Sequence, residues 1–239
     1  MEFSLIKKII PEDIKSWQNK IFITLDMEWA IDEVLSDTID ILEKYSIPAT
    51  WFVTHQTELL NRLRSNSQFE LGIHPNFNFL LNGDFRYGKN FKEVLSYYKK
   101  IVPEAISVRS HSLTQSSLFV KYYESENIIF DCNMLIPFES NINLQPYYHT
   151  KKLIRVPHFW EDDTRHLYSD NLAVKKYLDN DCIKVFDFHP IHIFLNTDAL
   201  DLYNKVKPFN NNFDKLKEFR NTENSGIRNF FLDLINFKK

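Results

Sequence analysis

The sequence has few glycines and few cysteines, and each shortage excludes a class of site. Only 4 glycines occur in 239 residues, which excludes a glycine-rich loop that cradles phosphates, as in P-loop and dinucleotide-binding proteins. The two cysteines, Cys132 and Cys182, do not form a CxxC pair, so a zinc knuckle built from thiolates is excluded as well. So few cysteines favour a reducing compartment.

Excess positive charge and long apolar runs are also missing. The net charge is −3 and the 29 basic residues are scattered, whereas nucleic-acid-binding proteins usually present a basic face. No run of about 18 apolar residues occurs, so we expect no membrane-spanning helix. The first residues, MEFSLIKKIIPEDIKSW, lack the apolar stretch of a signal peptide. These features predict a cytoplasmic protein that does not bind nucleic acid and does not span a membrane.

The sequence does contain apolar runs that alternate with helical patterns. The expected strands are 21–25, 49–54, 69–74, 105–111, 128–133, 153–160 and 183–189, and the expected helices are 34–45, 58–66, 90–102 and 117–127. Repeated alternation of strand and helix predicts a mostly parallel sheet with helices outside it. About seven strands in a chain of this length predict an α/β fold of the barrel type, in one domain over 1–239. Its core spans about 20–195, and a helical segment, 200–239, follows.

Polar side chains stand at the ends of the expected strands. Asp26 and Glu28 follow the first strand, His74 follows the third, and Arg109 and His111 end the fourth. Four more aromatic or imidazole side chains end later strands: His158, Trp160, His189 and His192. Active sites of parallel barrels gather at the C-terminal ends of the strands. We therefore expect these side chains to meet.

Carboxylate and imidazole groups are the ligands of a divalent metal such as zinc. Asp26 and Glu28 are two residues apart, so on a regular strand they share a face. One could bind a metal while the other acts as a base; the alternative is a pair that forms salt bridges. His74 is a further ligand candidate, with Asn78 on the same face of a helical turn. The alternative for His74 is a lone histidine that caps a strand.

The remaining candidates concern proton transfer and substrate binding. An arginine at position 109 near Asp26 would lower the pKa of that acid and orient it, although a surface position is the ordinary alternative. In the FHPIHIF segment, a histidine beside a metal can protonate a leaving amine, and the alternative is a pair of loop histidines. Trp160 either forms the wall of a sugar pocket or packs in the core. The substrate-binding candidates are Trp160, His158 and His192.

Taken together, these motifs resemble the polysaccharide deacetylase family, also called NodB-like or carbohydrate esterase family 4, over roughly 20–195. The segment TLDME at 24–28 is similar to the family's Thr-Phe-Asp-Asp motif, and IPATWFV at 47–53 is similar to its GIPATFFV segment. The segment ELGIH at 70–74 resembles the start of the family's second motif, but Asn78 stands where that motif has a second histidine.

The third and last motifs of the family are matched in part. Arg109 agrees with the third motif, although Ser110 and His111 replace the residues that normally follow, and FHP at 188–190 resembles the last motif. These particular versions look most like the WbmS-like branch, which is tied to the synthesis of lipopolysaccharide and O-antigen sugars.

The resemblance implies a distorted (β/α) barrel, with fewer than eight strands, that binds one divalent metal ion. Zinc is the first candidate, and cobalt or nickel are the others. The residues that match the family's motifs take the family's roles: Glu28 and His74 hold the metal with Asn78 or His111 as the third ligand, Asp26 is the base, His189 is the acid, and Arg109 orients the base.

The resemblance further implies a hydrolase that removes an acetyl or formyl group from an amino sugar in surface polysaccharide biosynthesis. The expected substrate is a nucleotide- or lipid-linked sugar precursor. One alternative is a non-catalytic carbohydrate-binding relative, because the second histidine of the motif is lost; another is a hydrolase of a non-sugar amide such as a ureide. The presence of both Asp26 and His189 favours an enzyme, since a binding protein needs neither a base nor an acid.

Overall fold

The protein is built around a curled, mostly parallel sheet. The structure, a computed structural model, describes residues 1–28, 30–167 and 172–237. Its strands are β1 (Glu2–Phe3), β2 (Lys20–Asp26), β3 (Ala49–Val53), β4 (Phe69–Ile73), β5 (Ser107–Val108), β6 (Phe130–Asp131), β7 (Tyr147–Tyr148), β8 (Ile154–Arg155), β9 (Trp160–Glu161) and β10 (Lys184–Phe188). Its helices are α1 (Asp32–Lys44), α2 (Leu59–Ser65), α3 (Asn78–Leu81), α4 (Phe91–Ile101), α5 (Ser117–Ser125), α6 (Val174–Leu178), α7 (Pro190–Leu195), α8 (Leu200–Val206), α9 (Phe213–Glu218) and α10 (Ile227–Ile235).

The strands follow the order β7-β8-β6-β5-β4-β3-β2-β10-β9 across the sheet. All of these neighbours are parallel except β7 and β8. The remaining strand, β1, pairs with the start of β2. Within the described part of the chain no pairing joins β7 to β9, so the sheet forms a half-barrel. The predicted barrel-like α/β fold is confirmed, and the described residues form ten strands rather than about seven.

Hydrophobic burial explains why the central strands were predictable. All residues of β3, β4 and β10 are buried, and only Lys20 of β2 is partly exposed. Strands of parallel sheets that are covered on both faces give such continuous apolar runs. On the outer face, the ring of Trp160 in β9 stacks on Phe230 of α10 at 4.6 Å. Helix α10 therefore covers this edge of the sheet.

The predicted C-terminal helical segment, 200–239, contains three helices, α8, α9 and α10, and its last two residues, 238 and 239, lie outside the described residues. None of the helices in the described ranges is long and apolar enough to cross a membrane.

The inner face of the half-barrel is polar. Near the N-terminal ends of the strands, the buried Glu70 accepts hydrogen bonds from the hydroxyls of Thr50 (3.1 Å) and Ser107 (3.0 Å). It also accepts one from the backbone N–H of Lys7 at 2.9 Å. Glu70 therefore fixes the N-terminal segment across this end of the barrel, while the opposite end is left for the strand-end residues.

Gly72 in β4 makes room for the side chains that fill the barrel. A Cβ atom at this position would lie 2.6 Å from the Ser107 hydroxyl and 2.8 Å from the Phe52 ring. That ring lies 4.4 Å from the guanidinium carbon of Arg109. The glycine therefore allows Phe52 to approach closely and to support the arginine.

Two strand predictions need correction. The expected strand 153–160 is in fact two separate strands, since β8 pairs with β6 whereas β9 pairs with β10. Pro157 lies between them, and a proline has no N–H to donate to a ladder. The expected strand 105–111 is reduced to Ser107–Val108, and a 3-10 turn begins at His111.

Candidate active site

Five polar side chains converge at the C-terminal ends of the strands. Asp26 is the last residue of β2, and Glu28 follows two residues later. His74 follows β4, His111 begins the turn after β5, and His189 follows β10 as the N-cap of α7. Parallel strands place their carboxyl ends at one edge of the sheet, which brings these distant residues together. The expected meeting of strand-end residues is therefore observed for these five.

The Glu28 carboxylate is the centre of this cluster. Its Oε1 lies 3.2 Å from Nε2 of His74 and 3.5 Å from Nε2 of His189, while its Oε2 contacts Nδ1 of His111. Glu28, His74 and His111 each present one ligand atom, and these three atoms lie within 4.8 Å of one another. Two imidazoles and one carboxylate, with room for a further ligand, form the protein ligand set of many catalytic zinc sites.

The buried ring of His74 shows that the cluster suits a cation. The ring is 2% exposed, and neither of its nitrogens forms a well-oriented hydrogen bond within the described residues. Burial alone would lower the pKa of His74, but the negative charges of Asp26 and Glu28 outweigh burial and raise it to about 10. The two carboxylates therefore favour positive charge at this position. The His74 nitrogens lie 3.3 Å from Asp26 and 3.2 Å from Glu28 without forming well-oriented hydrogen bonds. This arrangement and the donor types fit a divalent ion bound by Glu28, His74 and His111.

A cavity of about 400 Å³ opens over this cluster. Its lining consists of Asp26, Glu28, His74, Ser110, His111, Ser112, Leu113, Glu161, Asp163 and Thr164. The cluster is thus buried in the protein but reachable by a small molecule, as a hydrolytic site requires.

Arg109 fixes the orientation of the Asp26 carboxylate. The guanidinium of this fully buried residue donates a hydrogen bond to Oδ1 of Asp26 at 3.2 Å and another to the hydroxyl of Thr24 at 2.6 Å, and it also contacts Asp187. Burial would raise the pKa of Asp26, but Arg109 and then His74 outweigh burial and lower it. Asp26 is therefore held as an oriented carboxylate at the floor of the cavity.

Asp162 holds His189 in a single orientation. Its Oδ1 lies 2.7 Å from Nδ1 of His189, and its Oδ2 accepts a hydrogen bond from the backbone N–H of the same residue at 2.8 Å. This arrangement directs Nε2 of His189 toward Glu28 and the cavity. Burial opposes protonation of the ring, but Asp162 and Asp163 outweigh it and raise the pKa of His189 well above its usual value. These two acids therefore favour the protonated form of the ring.

Asn78 lies apart from the cluster. Its amide N–H donates to the Ser112 hydroxyl at 3.1 Å, and its carbonyl oxygen accepts from Thr114 at 3.5 Å. Asn78 therefore helps to fix the turn that carries His111, and His111 takes the position beside Glu28. The two residues of the ELGIHPNFN segment do not share a helical face, because Pro75 follows His74 and α3 begins only at Asn78.

The three candidate substrate-binding residues lie around the site but are not among the described residues that line the cavity. Trp160 packs against aromatic residues of the core. His158 is fully buried, with Nε2 3.5 Å from Oε2 of Glu161. The Nδ1 atom of His192 is 3.0 Å from the Thr197 hydroxyl, and burial lowers the pKa of its ring to about 4.

The sequence reasoning did not single out three buried acids of the site. Asp162 orients His189, Asp187 contacts Arg109, and Glu161 reaches the cavity wall. One signal was present for Asp187, since an acid inside the apolar strand KVFDF requires a partner in the barrel interior. For Glu161 and Asp162, the signal was the acidic run EDD directly after Trp160.

The chain is similar to a known family and to solved structures. The model of the WbmS-like polysaccharide deacetylase family matches residues 23–207. A Bordetella bronchiseptica crystal structure, described as the polysaccharide deacetylase WbmS involved in O-antigen biosynthesis, is 39% identical, covers 98% of this chain and 97% of its own, and superposes with a TM-score of 0.91. A Mycobacterium smegmatis structure described as a polysaccharide deacetylase is 13% identical, covers 72% and 78% of the two chains, and gives a TM-score of 0.46. None of the curated proteins matches. The chain belongs to the WbmS-like polysaccharide deacetylase family.

Proposed function

We propose that this protein is a metal-dependent hydrolase that removes an acetyl or formyl group from the nitrogen of an amino sugar, in the biosynthesis of a surface polysaccharide. The observation that carries the proposal is the convergence of a two-histidine, one-carboxylate ligand set with an oriented carboxylate, Asp26, and an oriented imidazole, His189, around one cavity. The description of the Bordetella relative supports the link to O-antigen sugars.

The proposed metal ligands are Glu28, His74 and His111. Zinc is the first candidate because nitrogen and carboxylate ligands in this number are typical of catalytic zinc, and cobalt or nickel are the alternatives. When bound, such an ion polarises the acyl carbonyl and lowers the pKa of water. Asn78 is not part of the proposed set, because its side chain bonds to Ser112 and Thr114.

Asp26 is the proposed general base. Arg109 keeps it ionised and fixes one of its oxygens, while the residue still lines the cavity. In this role Asp26 accepts the proton of the water that attacks the acyl carbon. Charge that develops on the carbonyl oxygen is stabilised by the positive groups around the cavity, and such preorganised stabilisation contributes strongly to catalysis.

His189 is the proposed general acid. Asp162 fixes its Nδ1 side, which leaves the Nε2–H to donate to the nitrogen of the departing sugar amine. The carbon–nitrogen bond then breaks, the amine leaves protonated, and the acyl group is released as a carboxylate. A base and an acid at the two sides of the reacting amide are what hydrolysis of this bond requires. The proposed substrate is a nucleotide- or lipid-linked amino sugar.

The test is release of amine from a panel of N-acetylglucosamine, UDP-N-acetylglucosamine and UDP-N-acetylgalactosamine by the zinc-loaded protein. We expect turnover of at least one of these, and a loss of about 10²–10⁴-fold for Asp26→Asn, because a positioned base contributes this much. The control is Glu104→Gln, which should retain full activity. Glu104 lies near the start of β5 and forms a solvent-accessible ion pair with Arg64. Binding of a sugar without turnover would instead support the carbohydrate-binding alternative, and activity only on a non-sugar amide would support the other.

A further inference from the structure

One buried acid of the cavity wall, Glu161, has no role in the proposed chemistry. It is the last residue of β9, and because Trp160 before it packs outward, its own side chain points into the half-barrel. There it lines the cavity and is 8% exposed. The strand register places it directly beside Asp187 of β10. Two acids are therefore neighbours on this inner face of the sheet, and Glu161 is the one that lines the cavity.

The nearby arginine is paired with acids other than Glu161. Arg109 donates to Asp26 and contacts Asp187 rather than Glu161. The nearest imidazole, His158, has a pKa far below its usual value because of burial and the charge of Arg109, so it is neutral. Oε2 of Glu161 is buried 3.5 Å from Nε2 of His158 and, within the described residues, forms no hydrogen bond. Glu161 thus lies in the wall without a counter-ion of its own.

The surroundings of Glu161 favour its protonated, uncharged form. Burial and then the negative charges of Asp163 and Asp187 raise its pKa well above the usual value, and Asp26 adds to this effect, while His189 acts in the opposite direction. A protonated carboxyl group has one O–H donor as well as acceptor oxygens. A buried donor of this kind costs stability unless an acceptor pairs with it.

The rest of the cavity lining indicates what the ligand is like. Hydroxyl groups of Ser110, Ser112 and Thr164 share the wall with Asp163, and the lining, as far as the structure describes it, has no lysine or arginine. Phosphate groups are usually bound by such basic residues. The wall suits the hydroxyl and carbonyl oxygens of an uncharged sugar ring.

We propose that Glu161 is a substrate-binding residue that donates a hydrogen bond from its protonated carboxyl group to an oxygen of the N-acylated sugar, and that any phosphate of the substrate lies outside the cavity. The inference rests on the proposed function and assigns the wall opposite the metal ligands to recognition of the sugar ring.

The test compares Glu161→Gln, which keeps a donor of the same size, with Glu161→Ala, which removes it. Both are assayed for kcat and KM with the member of the sugar panel that the wild type hydrolyses fastest. We expect the KM of Glu161→Gln to stay within about twofold of wild type and that of Glu161→Ala to rise about tenfold, the usual effect of one lost hydrogen bond. The KM of Glu104→Ala, a control at the other end of the barrel, should not change.

The pH dependence provides a second readout that a purely structural role would not produce. As pH rises through the range in which Glu161 ionises, the donor is lost, so the wild-type KM should rise, whereas the KM of Glu161→Gln should not follow. The inference is overturned if Glu161→Gln and Glu161→Ala have equal KM. It is also overturned if Glu161→Ala has an unchanged KM and a lower kcat that parallels a lower Tm. If the wild type hydrolyses a sugar of the panel but the variants give either of these results, only the inference about Glu161 is refuted and the proposed function stands. If the wild type hydrolyses no sugar of the panel, both proposals are refuted.

Discussion

Replacement of Arg109 by methionine tests whether the arginine organises the floor of the site. The side chain is fully buried and contacts two carboxyl groups, Asp26 and Asp187. Methionine retains an apolar contact with the ring of Phe52, so the change removes mainly the charge. Breaking a buried ion pair by removal of one partner costs roughly 3–5 kcal/mol, because the remaining charge stays buried without compensation.

This free energy corresponds to a measurable change in the melting temperature. In a protein of this size, 1 kcal/mol shifts Tm by roughly 2–4 °C, so we expect Arg109→Met to lower Tm by roughly 6–20 °C. Burial already raises the pKa of Asp187, and this acid takes up a proton more readily once the arginine is gone. A carboxyl group whose folded-state pKa is raised loses its stabilising effect as pH rises. The penalty should therefore be smaller at pH 5 than at pH 8.

The matched control is Arg62→Met, the same substitution at a partly exposed ion pair. Arg62 bonds to Asp40 and Glu43 at 2.6 Å, and its side chain is 35% exposed. Such surface pairs contribute about 0–1 kcal/mol. Thermal unfolding followed by circular dichroism measures both variants. Equal Tm values for the two variants would refute the assignment of Arg109 as the counter-ion of the buried acids.

Two further predictions concern the histidines of the last strand end. Asp162→Asn should lower the pKa of His189, because it removes the negative charge beside the ring. Since His189 must be protonated to act as an acid, the alkaline limb of the pH profile of kcat, measured by amine release, should move to lower pH. An unshifted profile would contradict this role of Asp162. His192→Asn should make the protein less sensitive to acid, because the unfolded chain protonates this histidine below about pH 6.5 whereas the folded protein does so only near pH 4. Between pH 7 and pH 5, the free energy of unfolding measured in urea should therefore fall by about 2 kcal/mol more in the wild type than in the variant. Equal decreases in the two proteins would contradict this prediction.

The parts of the fold that were predictable from sequence are those with strong hydrophobic patterns. Strands β2, β3, β4 and β10 are five to seven residues long and almost fully buried, and their boundaries were predicted to within one or two residues. The half-barrel's other parallel strands have only two residues each, which is too short for a pattern to appear. Helix α7 was missed because all of its residues are buried, so it has no polar face to show helical periodicity.

The convergence of the candidate residues was predictable, but their individual contacts were not. A strand-end rule was enough to select Asp26, Glu28, His74 and His189, because in parallel sheets strand ends lie together. It could not decide between Asn78 and His111 as the third ligand, since that depends on the direction of a turn rather than on spacing. The structure brings His111 to Glu28 and places Asn78 behind the turn. Local spacing could not show the buried partners Asp162 and Asp187 either, since they come from other strands.

The most direct test of the account is the metal content of three proteins, measured by plasma mass spectrometry after reconstitution with zinc and removal of excess ion. We predict close to one equivalent in the wild type, near-complete loss in His111→Ala, and full retention in Asn78→Ala, which removes a side chain bonded only to the neighbouring turn. Retention by His111→Ala together with loss by Asn78→Ala, or a wild type that binds no metal at all, would contradict the proposed site.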